Sequence, residues 1–274
     1  MAEFDYLFIT NIPRVARTAE LSGATRIVID LERIGKEERQ GRGKTLISDH
    51  SIEDIPRVKA VLTNAELLVR TNPLHPGYEE ELEAVLAYQP DLIMLPMFTS
   101  VDEVVRVGEL IAGRARFIPL LETASAAAQL PDILAQPLVD ELYIGLNDLH
   151  LSQGLNFIFE PLTNGTIDLL IPQLKAWGKP FGIGGVARVG KGLIPGEQVL
   201  GEYSRLGSHS VILSRDFHGD YEHQDELEPG VSLQLEIEKL EHFRLQHKGR
   251  SEPRIKQDHL QFVLAVEEIV RARP

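Results

Sequence analysis

Four carboxylates and an arginine stand at or just past the ends of short apolar runs. Asp30 and Glu32 close RIVIDLE, Arg70 sits in ELLVRTN, Glu122 ends RFIPLLE, and Asp148 follows Asn147 in ELYIGLND. Glu122 and Asp148 offer oxygen donors with no histidine–cysteine set at ligand spacing, a combination that suits a hard cation such as Mg2+ or Mn2+. Each also precedes a helical stretch, TASAAAQL or LHLSQGL, so capping those helices is the competing role. Arg70 ends an otherwise apolar strand. Its guanidinium suits two-point binding of a carboxylate and stabilisation of a developing oxyanion, while an ion pair with Asp30 or Glu32 is the structural alternative. One arginine can do both.

Other residues extend this set. The polar stretch 33–51 is long for a loop between strand and helix and contains a single histidine, His50, beside Asp49. His50 is a candidate acid–base group or lid residue, against the commoner fate of a solvated loop histidine. His150 follows Asp148 closely, whereas His75, His209, His218 and His223 have no evident partner at ligand spacing. The stretch GIGGVARVGKG comes close to a phosphate loop, but Gly192 stands where Ser or Thr would bind metal, which removes the nucleotide-triphosphatase reading. Gly185 and Arg188 there remain candidates for contact with an anionic substrate, as does Asn147; a flexible rim is the alternative.

These side chains need a scaffold that brings distant strand ends together. Eight β-rich runs recur, at 4–10, 26–32, 66–72, 91–97, 116–122, 141–148, 180–185 and 209–215. Their apolar stretches are nearly continuous, as in parallel strands buried on both faces. Helical spacing fills the intervals: Val101, Val104, Val105, Val107, Leu110 and Ile111 form one stripe, with Ser100 placed to cap it. Eight strands alternating with helices predict a single (β/α)8 TIM barrel over 1–230, with the site at the carboxyl ends of the strands. A doubly wound sheet would show a glycine fingerprint after its first strand, and TNIPRVART has none. Residues 216–230 read as a solvated acidic loop. The remainder, 231–274, reads as a helical C-terminal extension whose apolar segment HLQFVLAVEEIV packs on the barrel or on a neighbouring subunit.

Composition narrows the function. The chain has 274 residues and a formal charge of −13, which opposes binding to nucleic acid or anionic membrane. It has no cysteine, so disulfides, thiolate nucleophiles, iron–sulfur clusters and cysteine-bound zinc are excluded. No apolar run approaches the roughly 20 residues of a membrane span. The first residues lack a basic segment and a small-residue cleavage site, so the cytoplasm is the expected compartment.

In order along the chain, VIDLE, LLVRTNP, IMLPM, PLLETASA and YIGLNDLHLSQG resemble the HpcH/HpaI aldolase and citrate lyase family. The resemblance implies a (β/α)8 barrel, Mg2+ or Mn2+ on Glu122 and Asp148, and an oxo-acid carboxylate and oxygen on Arg70. It implies carbon–carbon lyase activity on a 2-oxo acid or an acyl-CoA, and a homo-oligomer, for which the apolar C-terminal helix is the expected contact. Departures are visible as well: Arg33 replaces the last acid of the DLED run of the citrate lyase branch, and the histidine base of the aldolase branch does not align with His50. Glu32, His50 or a metal-bound water are the choices for the base. The rival expectations are a non-catalytic barrel binding an anionic metabolite, and an enzyme acting on phosphoenolpyruvate.

Overall fold

The computed structural model describes residues 4–36, 48–219, 227–228 and 230–273. The interior of the loop after the second strand (37–47), most of the acidic loop (220–226) and His223 lie outside the described residues. The strands are β1 (Asp5–Ile9), β2 (Arg26–Asp30), β3 (Glu66–Arg70), β4 (Leu92–Leu95), β5 (Arg116–Leu121), β6 (Leu142–Ile144), β7 (Phe181–Val186) and β8 (Ser210–Leu213). They form a closed parallel barrel in sequence order, β8 pairing with β1. The predicted (β/α)8 architecture is therefore the observed one. Each predicted run contains its strand or overlaps all but one residue of it; the excess lies mostly at the carboxyl ends, where the polar residues leave the ladder and enter loops.

The near-continuous apolar runs serve two cores. Leu7, Val28, Leu68, Leu92, Met94, Ile118, Leu120 and Tyr143 fill the barrel interior. Alternate strand residues such as Phe8, Ile27, Ile29, Val69, Ile93 and Phe117 face the helices. Strand periodicity of two thus divides one apolar run between two packing layers. In the helix Val101–Ile111, Val104, Val107 and Ile111 are buried, and the Ser100 hydroxyl accepts the Glu103 N–H at its start, as the spacing predicts.

Strand β7 departs from ideal pairing. Between Gly182 and Gly185 its register against β8 slips, and Gly184 takes φ +54°. The phenol of Tyr143 closes this gap from inside the barrel: its hydroxyl donates to the Gly184 carbonyl at 2.6 Å and accepts the Ile212 N–H at 2.8 Å. From the helix Gly196–Leu206, the Tyr203 hydroxyl donates to the Gly185 carbonyl at 3.0 Å. A Cβ on Gly182 would collide with the Tyr143 ring, and one on Gly184 with the Tyr203 hydroxyl. The glycines of GIGG thus make room for two tyrosines. Beyond them, the Gly190 N–H donates to Glu197 and the Arg188 N–H to Asp216, so both amides already have carboxylate partners within the chain.

At the amino end of the barrel, buried Arg26 binds Glu141 through both terminal nitrogens (2.7 and 2.9 Å) and pairs with Asp5 and Glu66. This charged plug lies opposite the mouth. The acidic loop after β8 is less solvated than its composition suggests, because Phe217 and His218 are both buried and His218 stacks on Phe8.

The helices Leu233–Lys248 and Glu252–Ala272 both pack on the helix Gly196–Leu206. Leu233, Ile237 and Leu240 from the first, and Phe262 and Val266 from the second, are buried. Gly201 lets the His247 ring approach, and Glu202, buried at the contact, is bound by Arg205 and by His259 Nδ1 at 3.0 Å. The inner face of the extension therefore belongs to its own barrel. Among the described residues no helix is long and apolar enough to cross a membrane.

Replacing Tyr143 by Phe keeps the ring but strands one carbonyl and one N–H in the bulge. The expected loss is about 1–3 kcal/mol for a buried polar group left unpaired, measured by urea unfolding. Arg26→Ala leaves Glu141 buried with its main partner gone, and the same measurement should give a larger loss, about 3–5 kcal/mol.

Candidate active site

A cavity of about 460 Å³ opens at the carboxyl ends of the strands. The residues at its centre come from the carboxyl ends of β2, β3, β5 and β6 and the segments that follow them, as parallel strands in a barrel require.

Asp30 and Arg70 are partners across the last rung of the β2–β3 ladder. Arg70 donates from Nε to Asp30 Oδ1 at 2.8 Å and from Nη2 to Oδ2 at 2.7 Å, a fork-on-carboxylate pair. Lys36 Nζ (3.1 Å), Ser48 Oγ (3.2 Å) and the Glu32 N–H (3.2 Å) also donate to Asp30. Burial opposes ionisation of Asp30, but Arg70 and Lys36 outweigh it and hold its carboxyl well below the usual carboxylate range. The remaining Arg70 nitrogen, Nη1, stands 3.5 Å from Glu32 Oε2, and the side chain keeps 16 % exposure on the cavity side. The structural pairing and the open guanidinium edge thus coexist.

Glu122 and Asp148 face this cluster across the cavity, both buried. Neither carboxylate caps the helix that follows it. Thr123 caps Ala124–Ala128 through its hydroxyl, and Asp148 lies inside Leu146–Ser152, whose N-cap position is Gly145. Gly145 is needed for contact rather than for φ: a Cβ there would lie 2.5 Å from Glu122 Oε2. Glu122 Oε1 accepts the Met97 N–H at 3.0 Å, and Met97 presents it from a left-handed backbone, φ +54°. Non-glycine residues in that region cost free energy and cluster at functional sites. Burial pushes the Glu122 carboxyl well above the carboxylate range, the charges of Glu32 and Asp148 add to this, and Arg70 opposes it.

This crowding tests the metal expectation. Buried carboxylates that repel one another are stabilised together by a cation, and their oxygens suit a hard one. Among the described residues no group of three or more His, Cys, Asp or Glu is arranged to hold a metal ion. A cation here would therefore take Glu122 and Asp148, with water and substrate oxygens in its other positions, a pattern Mg2+ commonly adopts. The residues fit the group.

Glu32, Arg70, Glu122, Asn147, Asp148 and Gly185 all line the cavity. His50 and Arg188 do not. His50 is buried below the mouth, where its Nδ1 accepts the Asp30 N–H at 2.9 Å, and its carbonyl accepts from Arg33 Nη2 at 2.8 Å. Arg188 turns to Asp216, with Nε to Oδ2 at 3.1 Å. His150 donates from Nδ1 to the Leu146 carbonyl of its own helix at 3.3 Å, and His75 pairs with Glu81 at 3.0 Å. Lys36, Tyr143, Ser214, Arg215 and His218 join the lining. Lys36 was hidden in a polar loop. Its position four residues after Glu32 and six after Asp30 is the one signal that places it beside both. Asn72 fixes the start of that loop, its Oδ1 accepting the N–H groups of Arg33 (2.8 Å) and Ile34 (3.1 Å).

A sequence profile of the HpcH/HpaI aldolase/citrate lyase family matches residues 6–157 of this chain. No curated protein matches it by sequence. Among solved structures it resembles an HpcH/HpaI aldolase from Desulfitobacterium hafniense DCB-2, with TM-score 0.59 and 15 % identity over 77 % of this chain and 86 % of that one. It also resembles an HpcH/HpaI aldolase/citrate lyase family protein from Burkholderia cenocepacia J2315, with TM-score 0.60 and 16 % identity over 89 % and 95 % of the two chains. A third likeness is the citrate synthase SbnG, with TM-score 0.57 and 15 % identity over 77 % and 86 %. At such identities the structures speak for the fold, while the profile spans more than half of the chain and includes Asp30, Arg70, Glu122 and Asp148. The chain belongs to the HpcH/HpaI aldolase/citrate lyase family.

Proposed function

We propose that this protein makes or breaks a carbon–carbon bond next to the carbonyl of a 2-oxo acid, passing through an enolate. The observation that carries the reading is the facing arrangement of buried Glu122 and Asp148 and the fork-held Arg70 across one cavity. A divalent cation, Mg2+ or Mn2+, on Glu122 and Asp148 would act as a Lewis acid toward the oxo-acid carbonyl. Arg70, immobilised by Asp30, presents its outer edge to the substrate carboxylate and to the oxygen on which charge grows. Because Asp30 fixes the guanidinium beforehand, little reorganisation is needed when that charge develops. Glu122 is held by the Met97 N–H and seated against Gly145, so its carboxylate direction is set before any ligand arrives. Citrate synthase and aldolase names among the structural neighbours agree with this class of reaction. The second substrate, an aldehyde or an acyl thioester, enters from the open side of the cavity.

Exchange of the pyruvate methyl protons with deuterium oxide, followed by NMR, tests the reading directly. The protein loaded with Mg2+ or Mn2+ should exchange them. Glu122→Gln should lower the rate on the order of 10²–10³-fold, and Arg70→Lys, which keeps the charge but not the fork, by at least about tenfold. Absence of exchange in the loaded wild-type protein, with pyruvate and with oxaloacetate, overturns the proposal.

Stability against pH gives an independent check on the metal. The Glu122 carboxyl is raised above its ordinary range in the fold, so without metal its contribution is complete at low pH and is lost as pH rises toward the raised value. A bound cation removes that loss. The difference in Tm between Mn2+-loaded and metal-free protein should therefore widen from about pH 5 to about pH 8. In Glu122→Gln the difference should stay small and flat over the same range. A pH-independent difference in the wild-type protein would count against Glu122 as a ligand.

A further inference from the structure

The reading above leaves open which group handles the proton on the oxygen of the second substrate, and His50 is turned to the Asp30 backbone outside the cavity lining. Lys36 is the residue whose place fits. Its side chain is 7 % exposed, yet it lines the cavity beside Arg70 and Glu32. One ammonium donor is committed to Asp30 Oδ2 at 3.1 Å. Its distance to Glu32 Oε2 is 3.5 Å, matching that of Arg70 Nη1 to the same oxygen. Two cationic donors thus approach one carboxylate oxygen, and all three side chains line the cavity. Asn72 anchors Arg33 and Ile34 just before Lys36, and Ser48 Oγ binds the same Asp30 oxygen that Lys36 holds.

We propose that Lys36 is a catalytic residue that binds the carbonyl oxygen of the acceptor and transfers its proton; this rests on the enolate reading above. In the direction of bond formation, the enolate carbon pair forms the new bond to the acceptor carbon. The acceptor's C=O π pair moves to oxygen, which takes a proton from Lys36 Nζ. The amine left between Asp30 and Glu32 regains a proton from water. In cleavage Lys36 first gives a proton to water; the hydroxyl proton then passes to the neutral Nζ, and the carbon–carbon bonding pair becomes the enolate.

The test compares two reactions of the same metal-loaded protein: pyruvate deuterium exchange, which involves no acceptor, and addition of pyruvate to glycolaldehyde. In Lys36→Met the ratio of addition to exchange should fall on the order of 10²-fold, the scale of a lost general acid. Lys36→Arg, which restores a donor and a charge, should recover part of that ratio. Equal losses of addition and exchange in Lys36→Met would make Lys36 a mere prop for Asp30 and Arg70, and an unchanged ratio would remove it from the reaction. Either result overturns the proposal while wild-type exchange stands. Loss of wild-type exchange is instead the failure of the enolate reading itself.

Discussion

The two-point bond between Asp30 and Arg70 is the joint on which the barrel mouth is assembled. It closes the last rung between β2 and β3 and turns a flexible cation into a fixed one. The same carboxylate gathers Lys36, Ser48 and the Glu32 amide, so the start of the loop after β2 is shaped around it. Buried ion pairs add little net stability on average, because desolvation offsets the attraction. What this pair supplies is placement: one edge of Arg70 is consumed and the other is aimed.

On the opposite side of the cavity the balance reverses. Glu122 lies within electrostatic reach of Glu32 and Asp148, and Arg70 and the Met97 N–H oppose their repulsion. The strained backbone of Met97 and the side-chain-free Gly145 both maintain this crowding. A fold that holds acids together against their charge is prepared for something positive. The Asp30 side of the mouth has two cations, Arg70 and Lys36, against one carboxylate, whereas on the Glu122 side carboxylates crowd one another.

The barrel was legible because buried parallel strands write an almost uninterrupted apolar signature, and eight such runs leave few topologies. Arg70, Glu122 and Asp148 were legible because a polar residue closing an apolar run must sit at a strand end. Lys36 was not, since its neighbours in sequence are polar and its partners are set by how the loop folds back. His50 shows the converse: the Nδ1 of a histidine in a functional-looking loop accepts a backbone N–H. The glycines of β7 resembled an anion-binding loop, yet their cause is non-local. Tyr143 and Tyr203, some 40 and 20 residues away, need the space, and no local pattern announces that. The acidic composition of the loop after β8 likewise concealed buried Phe217 and His218, the latter stacked on Phe8 from the first strand.

The helix Gly196–Leu206 has two faces with different clients. Tyr203 reaches inward to the Gly185 carbonyl at the cavity rim, while Gly201 and Glu202 receive the two C-terminal helices from outside. One rigid turn of helix therefore joins the tail of the chain to the wall of the reaction chamber. The extension is thus packed against the same helix that carries a hydrogen bond to the cavity rim, so the outer helices and the inner wall share one element.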